Sequence, residues 1–222
     1  MAIRKIAPLI KEWILDLLFP RYCLGCKKEG TSFCKSCQER VEIVWPEDGR
    51  NEPEIVHLIS MGLYRDKLWQ NLIQNFKYGY DEELSEAIRY LTKRFLEKYP
   101  EVSEYHYDYV VAVPLYPRRE LERSFNQAES FAKIISQNTG WEISSDLKRI
   151  KNTLPQAQLD DNERKENVKS AFEVKNIETF KNKKVLLVDD VFTTGATLKE
   201  AARAINGAGA SEIGAWVMAR RS

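Results

Sequence analysis

Apolar positions recur along the chain with two alternating spacings, one typical of amphipathic helices and one of short buried strands. Helical spacing predicts helices over residues 6–18, 66–76, 81–99 and 196–206, and another that follows a capping-box-like Ser124-x-x-Gln127 and ends at Gly140. Apolar runs predict strands over residues 55–64, 109–113, 143–150, 184–188 and 212–218. Strands that alternate with helices imply an α/β fold with a mainly parallel sheet flanked by helices.

Two polar segments divide this pattern. Residues 46–53 are polar and proline-bounded, which is typical of a surface loop or linker. We therefore predict a small module over residues 1–50, made of the first helix and a cysteine-bearing segment, and a main domain over residues 51–222. Residues 152–169 are polar and charged, and they predict a long excursion from the domain.

Composition and charge narrow the class of protein. The 222 residues are 43% hydrophobic and 30% charged, as expected of a globular chain, and the formal net charge is only +1. Binding to nucleic acid would therefore need a local basic patch. Lys11, Glu12 and Asp16 interrupt the apolar run near the N-terminus, no small-residue cleavage site follows, and no stretch is long enough to span a membrane. We expect a cytoplasmic protein with an amphipathic first helix.

The segment over residues 185–197 is the most informative in the chain. A buried strand runs into two carboxylates, Asp189 and Asp190, and a Thr-Thr-Gly-Ala-Thr turn then opens a helix. Backbone N–H groups and a helix N-terminus suit a phosphate, while the carboxylates would repel a phosphate and instead suit the hydroxyls of a ribose. A strand that merely ends in acids is the alternative, but it does not need this turn. The pattern predicts a sugar-phosphate site.

A basic stretch follows the strand over residues 109–113. Pro114 ends that strand, and Arg118, Arg119 and Arg123 come soon after. Guanidinium groups match diphosphate oxygens in pairs, so these side chains are candidates for a pyrophosphate site. Two glutamates in the same stretch leave an ordinary solvated surface as the alternative.

All four cysteines fall in two close pairs, Cys23-x-x-Cys26 and Cys34-x-x-Cys37. Two such pairs with no cysteine left over predict a four-thiolate zinc site that is structural, because every ligand position is filled. Disulfides or a redox pair are the alternatives, and a cytoplasmic location argues against structural disulfides.

The segment over residues 185–197 resembles the phosphoribosyl pyrophosphate motif of type I phosphoribosyltransferases. The resemblance implies that Asp189 and Asp190 form the catalytic acid pair, which holds the ribose hydroxyls, and that the ligand arrives with Mg²⁺. It also implies a phosphoribosyl pyrophosphate site formed by that pair with Val191, Phe192, Thr193, Thr194, Gly195, Ala196 and Thr197.

The chain resembles one subfamily, the ComF family of competence proteins, over nearly its whole length. Its pattern around Pro114, the three arginines and Gln127 is matched, except that Ser124 stands where glycine is usual. A second stretch, residues 153–172, also matches the family pattern, with Gln158 in place of a small residue. This stretch would form a hood that closes over the reaction, with the residues Thr153, Gln156, Arg164 and Asn167.

The resemblance implies transfer of phosphoribose to an unknown acceptor with release of pyrophosphate, in natural competence. A non-catalytic accessory of single-stranded DNA uptake, with phosphoribosyl pyrophosphate as ligand or signal, is the alternative, and its partners would be single-stranded DNA and a competence helicase. Basic residues near the cysteines would then contact phosphates: Lys27, Lys28, Lys35 and Arg40. A glutamine amidotransferase is excluded because Ala2, not cysteine, follows Met1.

Overall fold

A computed structural model of the protein describes residues 20–45, 53–77, 81–123, 125–152 and 168–221. Seven helices and seven strands lie in these ranges, together with a 3₁₀ turn over Pro100–Tyr105. The helices are α1 Lys35–Arg40, α2 Lys67–Phe76, α3 Glu82–Lys98, α4 Pro117–Arg123, α5 Gln127–Thr139, α6 Ile177–Phe180 and α7 Ala196–Gly207. The strands are β1 His57–Ser60, β2 Tyr109–Ala112, β3 Glu142–Ile143, β4 Leu147–Arg149, β5 Phe172–Val174, β6 Lys184–Phe192 and β7 Glu212–Arg220.

Five strands form one parallel sheet in the order β1-β7-β6-β2-β3, which confirms the predicted α/β class. β6 lies at its centre, paired with β7 on one side and with β2 on the other. Both faces of β6 are covered. Leu186 and Val188 belong to the apolar core with α2, α3 and α5, and Val185 and Leu187 belong to the core with α7. Burial on both faces explains the uninterrupted apolar run of this strand.

The helices predicted over residues 66–76, 81–99 and 196–206 are confirmed, and an aspartate caps the first two of them. α2 begins after Asp66, whose carboxylate accepts a hydrogen bond from the Leu68 N–H at 2.7 Å. α3 begins after Asp81, whose carboxylate accepts from the Glu83 N–H at 2.9 Å. Each cap satisfies a backbone donor that the first helical turn leaves without a partner.

The predicted capping box at Ser124 and Gln127 is wrong. The N-cap of α5 is Asn126, which accepts from the Ala128 N–H at 3.0 Å, and Gln127 is already the first helical residue. Asn126 is as good a cap as serine, and its amide also donates to the Val113 carbonyl at 3.1 Å. This second bond ties the start of α5 to the end of β2, and local spacing could not reveal it.

The strand predicted over residues 143–150 is two strands in different sheets. β3 is the edge strand of the main sheet, whereas β4 pairs antiparallel with β5 in a separate two-stranded sheet. β6 and β7 are also longer than predicted and run to Phe192 and Arg220. Asp189 therefore lies within β6, opposite Val217 of β7, rather than after the strand.

The cysteine-bearing segment packs on the main domain. Phe33, Val41 and Ile43 are buried in the same apolar core as α3. The predicted boundary at residue 50 stays a prediction, and the predicted first helix lies outside the described residues. Among the helices that the structure does describe, none combines the length and apolar character needed to cross a membrane.

Candidate functional site

The site begins where β6 ends. The strand carries Asp189 and Asp190, and the chain then turns into α7 through Gly195, which has a left-handed φ of 72°. A Cβ at Gly195 would also lie 2.5 Å from the Phe192 ring, so glycine is needed at this position for two reasons. The turn borders a cavity of about 360 Å³.

Eight of the nine predicted motif residues line this first cavity: Asp189, Asp190, Val191, Phe192, Thr193, Gly195, Ala196 and Thr197. Thr194 is the exception, and its hydroxyl accepts from the Ala196 N–H at 3.4 Å. Tyr64, Lys77, Leu198 and Arg221 complete the wall. The wall therefore combines backbone donors, hydroxyls, two carboxylates and two cations.

The two carboxylates lie in a strongly charged environment. The Asp190 N–H donates to Asp189 Oδ1 at 2.8 Å, and Lys77 Nζ lies 2.6 Å from Asp190 Oδ2. Burial and the adjacent negative charge of Asp190 raise the pKa of Asp189 to about 7. Burial works to lower the pKa of Lys77, but attraction to Asp190 outweighs burial and raises this pKa. Lys77 is therefore a cation at neutral pH.

A second cavity, of about 410 Å³, also borders the acid pair. Arg119 and Arg123, two of the three arginines proposed from the sequence for a pyrophosphate site, line it, and Glu122 contributes a negative charge. Four residues are in the walls of both cavities: Lys77, Asp189, Asp190 and Thr197. The acid pair and Lys77 thus stand between a turn rich in hydroxyls and a cluster of guanidinium groups.

Arg118 is not in the wall of this second cavity. Its Nε lies 3.2 Å from Glu122 Oε1, and its side chain is 74% exposed. The exposed pairing with Glu122, four residues further along α4, keeps Arg118 in solvent. Arg119 and Arg123 are four residues apart and share one face of α4, while Arg118 is turned about 100° away from Arg119.

Arg149 joins the site although no motif indicated it. It lies on β4, is only 8% exposed, and lines the second cavity. Its guanidinium carbon is 5.4 Å from the centre of the Phe172 ring. Burial, together with the positive charge of Arg119, lowers the pKa of Arg149 to about 10, so it is still charged at neutral pH. In β4 Arg149 lies two residues after the buried Leu147, on the same face of the strand, and a charge at such an inward position was the signal that sequence analysis overlooked.

The four cysteines form a second cluster. Their sulfur atoms all lie within 4.8 Å of one another, with Cys23 and Cys37 buried and Cys26 exposed. The Cys34 N–H donates to the Cys23 sulfur at 3.3 Å, and Arg40 Nη2 donates to the Cys37 sulfur at 3.0 Å. Four thiols at this spacing can hold a metal ion such as zinc.

The remaining predicted site residues do not line either of the two cavities described above, or lie outside the described residues. Lys27, Lys28 and Lys35 are exposed near the cysteines. The hood residues Thr153, Gln156, Arg164 and Asn167 lie outside the described residues, so their role stays a prediction.

Comparison with known proteins agrees with this geometry. Residues 127–222 match the phosphoribosyl transferase domain family. Competence protein F of Haemophilus influenzae is 32% identical over 218 residues, which are 89% of this chain and 90% of that protein. The DNA utilization protein YhgH of Escherichia coli K12 is 30% identical over 76% of this chain and 74% of its own length. Competence protein ComFC of Streptococcus pneumoniae is 26% identical over 89% and 80%.

A solved structure of the allosteric regulatory enzyme of purine biosynthesis also resembles the chain. It is 19% identical with a TM-score of 0.42, and the match covers 65% of this chain and 30% of that one. A TM-score this low supports no conclusion about function. The conclusion about family rests on the sequence relatives, the matched domain and the parallel fold. The chain belongs to the ComF family of type I phosphoribosyltransferase-like competence proteins.

Proposed function

We propose that the protein binds phosphoribosyl pyrophosphate and transfers its phosphoribosyl group to an acceptor, in the service of competence or DNA use, as the names of its relatives suggest. One observation carries the proposal. A hydroxyl-rich turn and three arginines line two cavities that share one acid pair. Phosphoribosyl pyrophosphate has the same order of groups, with a ribose between a phosphate and a diphosphate.

Each part of the ligand has a matching part of the site. The turn and the N-terminus of α7 would bind the 5′-phosphate through N–H groups and hydroxyls. Asp189 and Asp190 would accept hydrogen bonds from the ribose hydroxyls. Arg119, Arg123 and Arg149 would bind the diphosphate, for which paired guanidinium donors are well suited.

The reaction would be a displacement at ribose C1. A lone pair of the acceptor forms the new bond to C1, the bond from C1 to the diphosphate oxygen breaks, and pyrophosphate leaves with that electron pair. The arginines would stabilise the negative charge that grows on the leaving group, while the acid pair holds the ribose in place. Mg²⁺ that arrives with the ligand would further offset that charge.

The cysteine cluster would hold a structural zinc ion. Four sulfur atoms within 4.8 Å of one another fit tetrahedral coordination, and they leave no position for a substrate. Since the segment has few apolar residues of its own, the metal would supply much of its folding free energy.

The test is calorimetric titration of phosphoribosyl pyrophosphate with Mg²⁺. We expect the wild type to bind and the Asp189→Asn/Asp190→Asn variant to bind at least about 100-fold more weakly, because each hydrogen bond to a charged group is worth about 1.5–3 kcal/mol. Glu97→Gln/Glu101→Gln removes the same charge from the exposed surface and should bind like wild type. Absence of binding by folded, zinc-loaded wild type would refute the proposal.

A non-catalytic role in uptake of single-stranded DNA is the second candidate. The relatives named for DNA utilization and the exposed lysines Lys27, Lys28 and Lys35 favour it. Binding of phosphoribosyl pyrophosphate without pyrophosphate release for any acceptor, together with salt-sensitive binding of single-stranded DNA, would select this candidate.

A further inference from the structure

Lys77 is a cation of the site to which the proposed function gives no task. It follows the last residue of α2 and lines both cavities. Its ammonium lies 2.6 Å from Asp190, and the two side chains are only 23% and 17% exposed. Lys77 thus already contacts one of the two carboxylates that we propose for the ribose hydroxyls.

One buried amide places Lys77 beside the arginine cluster. Gln127, which is 2% exposed, donates from Nε2 to the Lys77 carbonyl at 2.9 Å. The same amide accepts from Arg123 Nη1 at 3.2 Å through its oxygen. The positive charge of Arg123 also works to lower the pKa of Lys77, as expected for neighbouring cations. Lys77 and Arg123 are therefore neighbouring cations in the wall of the second cavity.

The charge of the second cavity shows what such a pair can do. Its wall carries four cations, Lys77 and three arginines, against three carboxylates. An ammonium has three donors, so Lys77 can keep one bond to Asp190 and still donate to a ligand oxygen. Ribose hydroxyls that donate to Asp190 would compete with Lys77 for this carboxylate. The ammonium would then be held less tightly by Asp190 and could attract an anion.

We propose that Lys77 binds an oxygen of the diphosphate group of the ligand while it stays paired with Asp190, so that it links recognition of the ribose with recognition of the leaving group. The proposal rests on the proposed function and adds a residue that the family motifs in this sequence do not include.

The experiment measures binding of inorganic pyrophosphate and of ribose 5-phosphate, each with Mg²⁺, to wild type and to the Lys77→Met variant. We expect pyrophosphate binding to weaken at least about tenfold, as for loss of a charge-assisted hydrogen bond, and ribose 5-phosphate binding to change less than about threefold. Lys77→Arg should restore most of the pyrophosphate affinity. Lys67→Met, which removes an exposed lysine from the start of the same helix, should bind both compounds like wild type.

A second arm separates a direct contact from an effect through Asp190. If Lys77 touches the diphosphate, replacing it weakens pyrophosphate binding in the Asp190→Asn background as well. Unchanged or tighter pyrophosphate binding by Lys77→Met, or a loss that disappears in that background, would overturn the proposal. Wild type that binds neither phosphoribosyl pyrophosphate nor pyrophosphate would instead refute the proposed function.

Discussion

At the scale of single residues, the acid pair is the most strongly perturbed group of the candidate site. Two carboxylates lie side by side at the end of a buried strand, and a lysine pairs with one of them. The other, Asp189, has a pKa raised to about 7 because of burial and the neighbouring charge. The protein thus keeps a group that destabilises the fold when it is ionised, which is common where a side chain is retained for binding.

The raised pKa of Asp189 predicts a pH-dependent stability. The folded state holds a proton on this carboxyl more tightly than the unfolded chain does, so its contribution to stability is present at low pH and is lost as pH rises toward about 7. Asp189→Asn removes the ionisation and leaves an amide oxygen that can still accept the Asp190 N–H. The variant should gain about 1–3 kcal/mol of unfolding free energy relative to wild type between pH 5 and pH 8.

Urea unfolding of both proteins at the two pH values measures this difference. A wild-type minus variant difference that is the same at both values would show that Asp189 titrates in its ordinary range.

At the scale of elements, the start of α3 holds the cysteine-bearing segment in place. Glu83, in the first turn of α3, accepts hydrogen bonds from the Ser32 N–H at 2.6 Å and from the Thr31 hydroxyl at 3.0 Å. Its other oxygen pairs with Arg21 at 2.7 Å. One carboxylate therefore satisfies a backbone donor, a hydroxyl and a cation of the segment that carries the cysteines.

Glu83→Gln should therefore destabilise the protein by about 1–2 kcal/mol, since it weakens two charge-assisted hydrogen bonds and one ion pair. Glu82→Gln is the matched control, because Glu82 is exposed in the same helical turn and has a similar interaction with the helix dipole. Thermal unfolding of the zinc-loaded variants gives the comparison. Equal losses for the two variants would assign the effect to the helix dipole rather than to the contacts of Glu83.

At the scale of the whole molecule, the cysteine segment and the sheet share one apolar core. α2 links them, because its Asn71 amide donates to the Leu24 carbonyl at 2.9 Å and its Trp69 indole donates to the Glu42 carbonyl at 3.0 Å. The same helix ends next to Lys77, which lines the candidate site. Loss of order around the cysteines should therefore lower the stability of the main domain.

Removal of zinc by a chelator should lower the Tm by at least about 10 °C, because a structural zinc site contributes several kcal/mol and each kcal/mol shifts the Tm of a domain of this size by about 2–4 °C. Differential scanning calorimetry, with metal content measured in parallel, tests this expectation. Adding back one equivalent of zinc should restore the Tm in wild type but not in Cys26→Ser. Stoichiometric loss of zinc with an unchanged Tm would contradict a structural role.

The sequence alone determined the features that depend on neighbours along the chain. Periodicity identified the long helices and the parallel α/β class, and the spacing of Cys23, Cys26, Cys34 and Cys37 identified a cluster that the structure brings together. The strand, acid pair and glycine turn were recognisable because strand ends and helix starts are local events, set by residues within one or two turns of each other.

Only the tertiary structure decided which distant residues meet. Lys77 and Arg149 reach the acid pair because the end of α2 and β4 lie beside the end of β6, and no local pattern encodes that meeting. Arg118 does not line the second cavity, because its side chain is exposed and pairs with Glu122. The Asn126 cap of α5 also donates to the Val113 carbonyl, more than ten residues away. Short elements and long-range contacts depend on the packing of the whole chain, so spacing along the sequence does not predict them.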